Sequence, residues 1–315
     1  MKHPRLAAAL SVLFVTLIWS ISTLLFKTSL RTVPPLTFAA AQVSLAAVVL
    51  GALALARGEL RGQWSGPTAL PRSAWARLAV MGLSRYALGQ ATFILALAHL
   101  PASSATFVFS LNNLAVLLMG IAFLQEAPSL RQWGGGLLAI GGAYLFFAAR
   151  PAAGEGLGIA FGVVNVFAFS GYNILARGIG RQGRVSNLLV TTISLACGAP
   201  ILLLVAWLVE GPPHPAVFSG VALFALIWGG LLDTGLSLSL WNRALRVLWP
   251  FEVTVLARAQ MIEVPILAGW FLGDTLLTGE WLGIGVTLAG IVFSQRWASP
   301  GRGNGSAPTL PHPRE

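Results

Sequence analysis

The sequence predicts an all-α integral membrane protein of about ten transmembrane helices, arranged as two inverted repeats of five helices. The first observation behind this prediction is composition. The 315 residues are 56% hydrophobic and only 10% charged, whereas a soluble protein carries about 25% charged residues. The second observation is a series of apolar segments of membrane-spanning length, and the third is that the second half of the chain repeats the plan of the first.

The repeat is clearest in two hairpins, residues 100–147 and residues 249–293. Each begins with a proline, runs apolar to an acidic turn, and closes on a helix with spaced glycines. Three pairs of positions share one offset of 149 residues: 101/250, 134/283 and 141/290. Other matches slip by one residue, such as Arg85 with Asp233. We therefore predict one unit of about 145 residues that is used twice.

A helix needs about twenty apolar residues to cross the hydrocarbon, so proline, glycine and basic residues delimit the single helices. The predicted spans are 6–26, 34–56, 73–97, 101–123, 129–149, 156–176, 186–209, 216–240, 250–272 and 279–297. The first repeat occupies 1–150 and the second 151–298. The first span is longer than a signal-peptide core and lacks a convincing cleavage site, so we expect it to be retained. Residues 299–315 are predicted to be a disordered cytoplasmic tail.

The distribution of basic residues sets the predicted orientation. With the N-terminus in the cytoplasm, fifteen basic residues lie on the cytoplasmic side and only Lys27, Arg31 and Arg150 lie outside. The positive-inside rule therefore places both termini in the cytoplasm. Five spans per repeat is an odd number, so the second repeat enters the membrane the opposite way up. Inverted repeats of this kind are typical of secondary transporters, whose binding site lies near the midplane between the halves.

Composition also excludes several classes of function. The formal net charge of +10 is accounted for by membrane topology, so we predict no nucleic-acid partner. Cys197 is the single cysteine and the four histidines are dispersed, so neither a disulfide framework nor a metal site is predicted. No cofactor is expected. The expected partners are a small-molecule substrate and the lipid bilayer, with protons if transport is coupled, and the protein is expected to be a monomer or a homodimer.

Of the ionisable residues inside the predicted spans, five on the third, eighth and ninth spans are candidates for the site, because lipid would reject them: Arg85, Asp233, Glu252, Arg258 and Glu263. Each costs about 2.5 to 3.5 kcal/mol at the centre of a membrane helix, so all five are expected to face protein or water. Two interpretations stay open. Arg85 or Arg258 binds an anionic substrate group and Asp233 or Glu263 a cationic one, or these residues form structural ion pairs.

Polar and aromatic side chains extend the predicted site. Ser103, Thr106, Ser110 and Asn113 recur at helical spacing and form a polar stripe on the fourth span. Aromatic residues on the same group of helices would suit a ring-bearing solute, or would pack between helices and against lipid. Asn113 and Asn173 either bind substrate or bridge helices. The predicted cavity residues are Trp19, Arg85, Tyr86, Phe93, Thr106, Ser110, Asn113, Asn173, Asp233, Trp241, Arg258 and Glu263.

Two features of the spans concern packing and motion. The glycines at 134–142 and 283–290 are predicted to be packing surfaces, either between the halves or in a dimer. Pro200 and Pro265 lie inside their spans, where each removes a backbone hydrogen bond and is expected to kink the helix. A hinge at Pro265 would suit alternating access, and a static kink is the other interpretation.

The repeat plan as a whole resembles the drug/metabolite transporter superfamily, EamA type, over about residues 6–297. It combines a first helix with Trp19 and Lys27, a proline-initiated fourth helix, a short acidic turn and a glycine-spaced fifth helix. The family usually has an acid before the fifth and tenth helices; Glu126 fits this pattern, while Asp274 is displaced by one position and shortened. The chain looks most like bacterial inner-membrane exporters of aromatic amino acids. The resemblance implies export of small metabolites by alternating access at a midplane cavity.

Other functions stay open at this point. The solute could belong to another class, such as a drug, a nucleobase or another amino acid. Transport could be proton-coupled through Asp233 or Glu263, or could be facilitated diffusion. Gly82-Leu83-Ser84 and Gly235-Leu236-Ser237 resemble the start of a serine hydrolase elbow, but no histidine or acid is suitably placed on another span. We therefore predict a transporter and not an enzyme.

Overall fold

The computed structural model describes residues 4–59, 71–125, 128–149, 155–180, 186–244, 247–248 and 250–294. These residues form helices and short connections, with no β-strand among them. Two predicted features, the acid Glu126 and the tail 299–315, lie outside the described residues.

The helices follow the ten predicted spans closely. The first repeat contains α1 (Pro4–Ser29), α2 (Pro35–Ala56), α3 (Arg72–Gly82), a π-helical segment (Leu83–Gly89), α4 (Gln90–His99), α5 (Ala102–Ser110), α6 (Asn112–Leu124) and α7 (Leu130–Ala149). The second contains α8 (Gly156–Gly180), α9 (Asn187–Glu210), a 3-10 turn (Pro215–Phe218), α10 (Gly220–Trp228), a second π-helical segment (Gly229–Leu236), α11 (Ser237–Ala244), α12 (Pro250–Ala257), α13 (Gln260–Leu272) and α14 (Thr278–Ser294). The predicted all-α class with about ten apolar helices is confirmed.

The hydrophobic surface of the bundle agrees with a membrane setting. Seven described helices are long and apolar enough to cross a bilayer, and two shorter apolar helices, Gly220–Asp233 and Thr278–Ser294, accompany them. Large apolar side chains point outward, and Leu130, Trp270 and Tyr144 are at least 74% exposed. In water such a surface would be costly, whereas hydrocarbon solvates it.

The two π-helical segments lie at closely matching positions in the repeats and carry the charged residues Arg85 and Asp233. A π-helical turn leaves backbone carbonyls out of the regular ladder, and side chains bind two of them. The Asn165 amide donates to the carbonyl of Gly89 at 2.7 Å, and the Ser237 hydroxyl donates to the carbonyl of Leu232 at 2.9 Å. These segments were not predictable from the sequence, because one extra residue per turn leaves the hydropathy of the span unchanged.

Two spans are interrupted near their middle, and the interruptions are also equivalent. The fourth span breaks at Leu111, between α5 and α6, and the ninth breaks at Arg258 and Ala259, between α12 and α13. Neither break falls at a proline. Helices α9 and α13 run unbroken past Pro200 and Pro265, so the hinge at Pro265 stays a prediction.

Equivalent helices α2 and α9 pack side by side in opposite directions, and an acid that ends or follows each helix binds a residue at the start of the other. The carboxylate of Glu210, at the end of α9, accepts hydrogen bonds from the amides of Leu36 (2.8 Å) and Thr37 (2.7 Å) and from the Thr37 hydroxyl (2.7 Å). At the other end of the pair, Glu59 accepts a hydrogen bond from Ser186, the N-cap of α9. Amides of a first helical turn have no partner within the helix and favour a negative charge.

Helices α7 and α14 form the most extensive helix contact among the described residues, and glycines make their close approach possible. A Cβ on Gly135 would lie 2.7 Å from the Ser294 amide, and one on Gly290 would lie 2.6 Å from the Gly135 carbonyl. A Cβ on Gly283 would meet the carbonyl of Gly142 at 2.7 Å. Of the two predicted alternatives for these glycines, contact between the halves or contact in a dimer, the first is present within the chain. Gly141 does not take part, because a Cβ there would meet nothing within 4 Å. Runs of adjacent glycines leave the choice of contacting glycine undetermined in the sequence.

Candidate solute cavity

A cavity of about 310 Å³ lies between the two repeats and is lined by residues from both. Its volume is at the small end of the range for ligand pockets, about 300 to 1,000 Å³. Three charged side chains line it: Arg85, Asp233 and Arg258. Five aromatic rings line it: Trp19, Phe26, Phe93, Phe109 and Phe169. The other polar residues on the wall are Ser22, Thr23, Gln42, Gln90, Thr106, Ser110, Asn112, Asn165 and Gln260.

The aromatic residues are held by one another in pairs. The rings of Phe93 and Phe109 are tilted by 37°, with centroids 4.5 Å apart. The Trp19 ring packs against Trp241 with a centroid separation of 5.3 Å, and Trp241 itself lies outside the lining. Both separations are typical of favourable aromatic contacts. The cavity therefore has a fixed apolar surface suited to a planar group.

Asp233 is positioned by helix α1. Its carboxylate accepts a hydrogen bond from the Ser22 hydroxyl at 2.7 Å, and its backbone carbonyl accepts one from the Trp19 indole at 3.3 Å. Within the described residues no basic side chain lies within ion-pair distance of it. The site therefore presents a carboxylate that is oriented by a hydroxyl and not neutralised by an adjacent cation.

Arg85 is surrounded by aromatic faces. Its guanidinium carbon lies 4.7 Å from the ring centroid of Phe169 and 5.5 Å from that of Tyr86, which are cation–π distances. One guanidinium nitrogen donates to the side-chain oxygen of Gln90 at 3.4 Å. The Gln90 amide in turn donates to Gln42 at 2.8 Å, so a polar chain links Arg85 to helix α2.

Arg258 lies at the break between α12 and α13 and is less well satisfied. One of its terminal nitrogens donates to the side-chain oxygen of Asn113 at 3.3 Å. Its Nε is buried and has no hydrogen-bond partner. Thr106, which is 6% exposed, also has a buried hydroxyl without a partner. These are the two cavity-lining side chains with such atoms in the part of the chain that the structure describes.

The other two acids of the predicted set lie outside the cavity lining and bind helix α1. Glu263 accepts hydrogen bonds from the hydroxyls of Thr16 (2.9 Å) and Ser20 (2.8 Å). Glu252 forms an exposed ion pair with Arg5 at 2.6 Å. No pair between Arg85 or Arg258 and Asp233 or Glu263 is within 4 Å in the described ranges. The structural ion pairs considered in the sequence analysis are therefore not formed in this conformation.

Seven of the twelve predicted cavity residues line the wall: Trp19, Arg85, Phe93, Thr106, Ser110, Asp233 and Arg258. Five do not: Tyr86, Asn113, Asn173, Trp241 and Glu263. Tyr86 instead packs edge-on against Tyr172, and Asn173 is half-buried on α8. Asn113 was predicted by extending the helical spacing of the polar stripe past Leu111, where the helix is in fact interrupted. Because the break changes the register, Asn112 lines the cavity in its place.

The stripe also contains a residue with a different role. Ser103, at the start of α5, donates to the carboxylate of Asp274 through its hydroxyl (2.7 Å) and its amide (3.2 Å). The acid of the predicted turn therefore caps a helix of the other repeat. The glutamines Gln42, Gln90 and Gln260 also line the cavity and were not predicted, because an uncharged amide in an apolar span gives a weaker signal in the sequence than a charged side chain does.

The serines of the two Gly-Leu-Ser triplets are engaged with the backbone. The Ser84 hydroxyl donates to the carbonyl of Ala168 at 2.7 Å, and Ser237 binds Leu232 as described above. Among the described residues there is no group of three or more histidine, cysteine, aspartate or glutamate side chains that could hold a metal ion.

A polytopic, repeated helical fold with a solute-sized cavity between its halves is the architecture of membrane carriers, and comparison with known proteins gives the family. The profile of the EamA-like transporter family matches residues 6–148 and 156–295, one match in each repeat. The chain therefore belongs to the EamA-like transporter family, and it is a multi-pass membrane transporter of small solutes.

A solved structure described only as a crystal structure of a protein is similar in fold. It has a TM-score of 0.63 and 20% sequence identity, with 92% of this chain and 97% of that chain covered. At this identity the similarity concerns the fold alone. No curated protein sequence matches the chain.

Proposed function

We propose that the protein exports amino acids, with a preference for aromatic ones, across the bacterial inner membrane. The observation that carries this proposal is the combination of guanidinium groups, a carboxylate and aromatic rings on one cavity wall. An aromatic amino acid is a zwitterion with a planar side chain, so it needs each of these groups. A hydrocarbon-like or uncharged solute would leave Asp233 and Arg258 in the cavity without an opposite charge, which is costly.

The proposed contacts follow from charge and shape. An arginine binds the carboxylate of the solute through charge-assisted hydrogen bonds, and Asp233 binds the ammonium group. The ring of the solute packs against Phe93 and Phe109, since offset and edge-on aromatic contacts add to simple burial of area. The volume of about 310 Å³ suits one small solute and not a peptide.

We further propose that transport occurs by alternating access between inverted repeats. The antiparallel packing of equivalent helices supports this topology. Helix α1 joins the second repeat through Glu263 with Thr16 and Ser20, and through Arg5 with Glu252. In the predicted orientation the Arg5 pair lies at the cytoplasmic end of α1, and the Glu263 contacts lie deeper, near the middle of that helix. They would have to break when the cavity opens to the cytoplasm.

The experiment that tests the function is efflux from proteoliposomes. Vesicles containing the purified protein are loaded with one radiolabelled solute at a time: phenylalanine, tyrosine, tryptophan, leucine, glutamate, lysine or uracil. We expect faster efflux of the three aromatic amino acids than from protein-free vesicles, and slower or no efflux of the others. Arg131→Gln is the matched control, because Arg131 is an exposed arginine of α7 beside Phe293 and remote from the cavity lining.

Efflux of uracil or of a non-aromatic amino acid in place of the aromatic ones would contradict the proposed preference and give the alternative substrate class directly. The same vesicles decide the coupling mode. With proton coupling through a buried acid, efflux depends on an imposed proton gradient and falls when an uncoupler dissipates it. With facilitated diffusion, the rate is the same with and without the uncoupler.

A further inference from the structure

We propose that Arg258, and not Arg85, receives the carboxylate of the transported solute, with the Thr106 hydroxyl as a second donor on the same wall. This assignment rests on the proposed function and makes it more specific. Both arginines line the cavity and both carry a positive charge, so the sequence alone does not separate them. Their hydrogen bonds do.

Arg258 has guanidinium N–H groups without a hydrogen-bond partner in a buried position, where an unpaired donor costs free energy. A guanidinium has five N–H groups, and the contact that the described residues give to Arg258 is a single bond of 3.3 Å to Asn113. Its Nε is buried without a partner. Buried polar groups in folded proteins are nearly always hydrogen-bonded, so a buried donor that lacks a partner beside a cavity indicates a missing ligand.

Arg85 is already compensated by the protein. Aromatic faces of Phe169 and Tyr86 lie against its guanidinium, and Gln90 accepts one of its hydrogen bonds. These contacts stabilise the charged guanidinium of Arg85 although no carboxylate lies beside it. Moving Arg85 to meet a solute would break them, whereas Arg258 can bind an anion while it keeps its bond to Asn113.

The acids nearby are engaged elsewhere and leave Arg258 available. Glu263, five residues further along the chain, binds Thr16 and Ser20 on α1. Asp233, the carboxylate on the cavity wall, binds Ser22. Neither forms an ion pair with Arg258 within the described residues. A solute carboxylate would therefore meet a guanidinium that has no competing anion.

The backbone at the break does not offer an alternative anion site. The amides of Arg258 and Ala259 donate to the carbonyls of Val255 and Leu256 at 3.0 Å, and the amides of Met261 and Ile262 donate to carbonyls at 2.9 Å. Most backbone donors at the start of α13 are therefore occupied. The donors left for a carboxylate are side-chain groups, namely the unused N–H groups of Arg258 and the hydroxyl of Thr106.

The test removes the carboxylate from the solute and the guanidinium from the protein in the same experiment. Efflux of labelled phenylalanine is competed with phenylalanine or with phenethylamine, its decarboxylated analogue, in wild type, Arg258→Gln, Arg85→Gln and the Arg131→Gln control. In wild type we expect phenylalanine to compete at least about 10-fold better than phenethylamine, since a hydrogen bond to a charged group contributes about 1.5 to 3 kcal/mol.

In Arg258→Gln we expect the ratio of competition by phenylalanine to competition by phenethylamine to fall to about 1. Phenylalanine loses its bond to Arg258, whereas phenethylamine has no carboxylate and never made that bond. In Arg85→Gln the ratio stays at the wild-type value, even if the absolute rate falls. Arg258→Lys keeps the charge without the forked donor and should retain an intermediate ratio. Thr106→Val should lower the ratio less than Arg258→Gln does. Competition by phenethylamine in each variant shows that the cavity is still formed.

The assignment is overturned if Arg258→Gln keeps the wild-type ratio, or if Arg85→Gln abolishes it. Both outcomes are distinct from a failure of the proposed function. If the proposed function is wrong, the wild-type protein itself moves no aromatic amino acid, whatever the variants do.

Discussion

Glu210 shows how one side chain fixes the position of a helix that belongs to the other repeat. Its two carboxylate oxygens accept three hydrogen bonds from the first turn of α2. Charge-assisted bonds to amides at a helix start are stronger than neutral ones, and the helix dipole adds to them. The same residue is the last of α9, so it also sets the relative height of the two helices.

We expect Glu210→Ala to lower the free energy of unfolding by about 1 to 3 kcal/mol, because it leaves two backbone amides and a hydroxyl without their acceptor. Glu210→Gln keeps one acceptor oxygen and should give a smaller loss. The measurement is the fraction of protein that stays monodisperse after heating in detergent. Equal heat resistance of wild type and Glu210→Ala would contradict this role.

The sequence identified which side chains a membrane would reject, but not what each one binds. A charged residue within an apolar span can be recognised from the sequence alone, and this identified Arg85, Asp233 and Arg258. Glu263 was found by the same criterion, yet it binds hydroxyls of α1 that lie 247 and 243 residues away along the chain. Such partners depend on packing between repeats, and no local pattern records them.

At the scale of secondary-structure elements, the pair formed by α7 and α14 depends on which glycines face the partner helix. Gly142 and Gly141 are neighbours on the same helix but have opposite surroundings. A Cβ on Gly142 would lie 2.6 Å from the backbone amide of Thr287 and 2.7 Å from the carbonyl of Gly283, whereas one on Gly141 would meet nothing within 4 Å.

We therefore expect Gly142→Ala to destabilise the protein by about 1 to 3 kcal/mol, since the added methyl group must push two backbones apart. Gly141→Ala is the matched control and should be neutral or stabilising by up to about 1 kcal/mol, because alanine has the higher helix propensity. Heat resistance in lipid nanodiscs distinguishes the two variants. A larger loss for Gly141→Ala would show that the register of the helix pair is different.

The interruptions within the spans mark the limit of prediction for elements. The predicted helix boundaries were close to the observed ones, because the ends of the helices follow changes in hydropathy and the positions of prolines. The π-helical segments and the breaks at Leu111 and Arg258 were missed, because each leaves the apolar character of its span intact. Their consequence for the site is direct: a stripe traced at 3.6 residues per turn fails beyond Leu111, and Asn112 replaces Asn113 on the wall.

At the scale of the whole molecule, the repeats meet along many helices, and two of the pairs between them are antiparallel equivalents, α2 with α9 and α7 with α14. The cavity lies between the repeats and draws lining residues from each. The duplication was visible in the sequence because proline, glycine and acidic positions recur at a nearly constant offset. A cavity between the halves could also be predicted, but its volume and full lining could not, because they depend on how the halves pack.

The predicted topology is tested with reporter fusions. Green fluorescent protein at either terminus should fluoresce and alkaline phosphatase at the same positions should be inactive, since both termini are expected in the cytoplasm. Phosphatase fused after Val33, in the connection that follows α1, should be active and serves as the control. Phosphatase activity at one terminus only would mean an odd number of spans and would contradict the inverted arrangement.

The contact of Glu210 with α2 has a consequence for the order in which the chain can be completed. The amides of Leu36 and Thr37 are synthesised early, whereas the acid that binds them lies 174 and 173 residues further along the chain, at the end of α9. These amides have no bond from Glu210 until most of the second repeat has been made. The start of α2 is therefore finished only when the second half of the chain is in place.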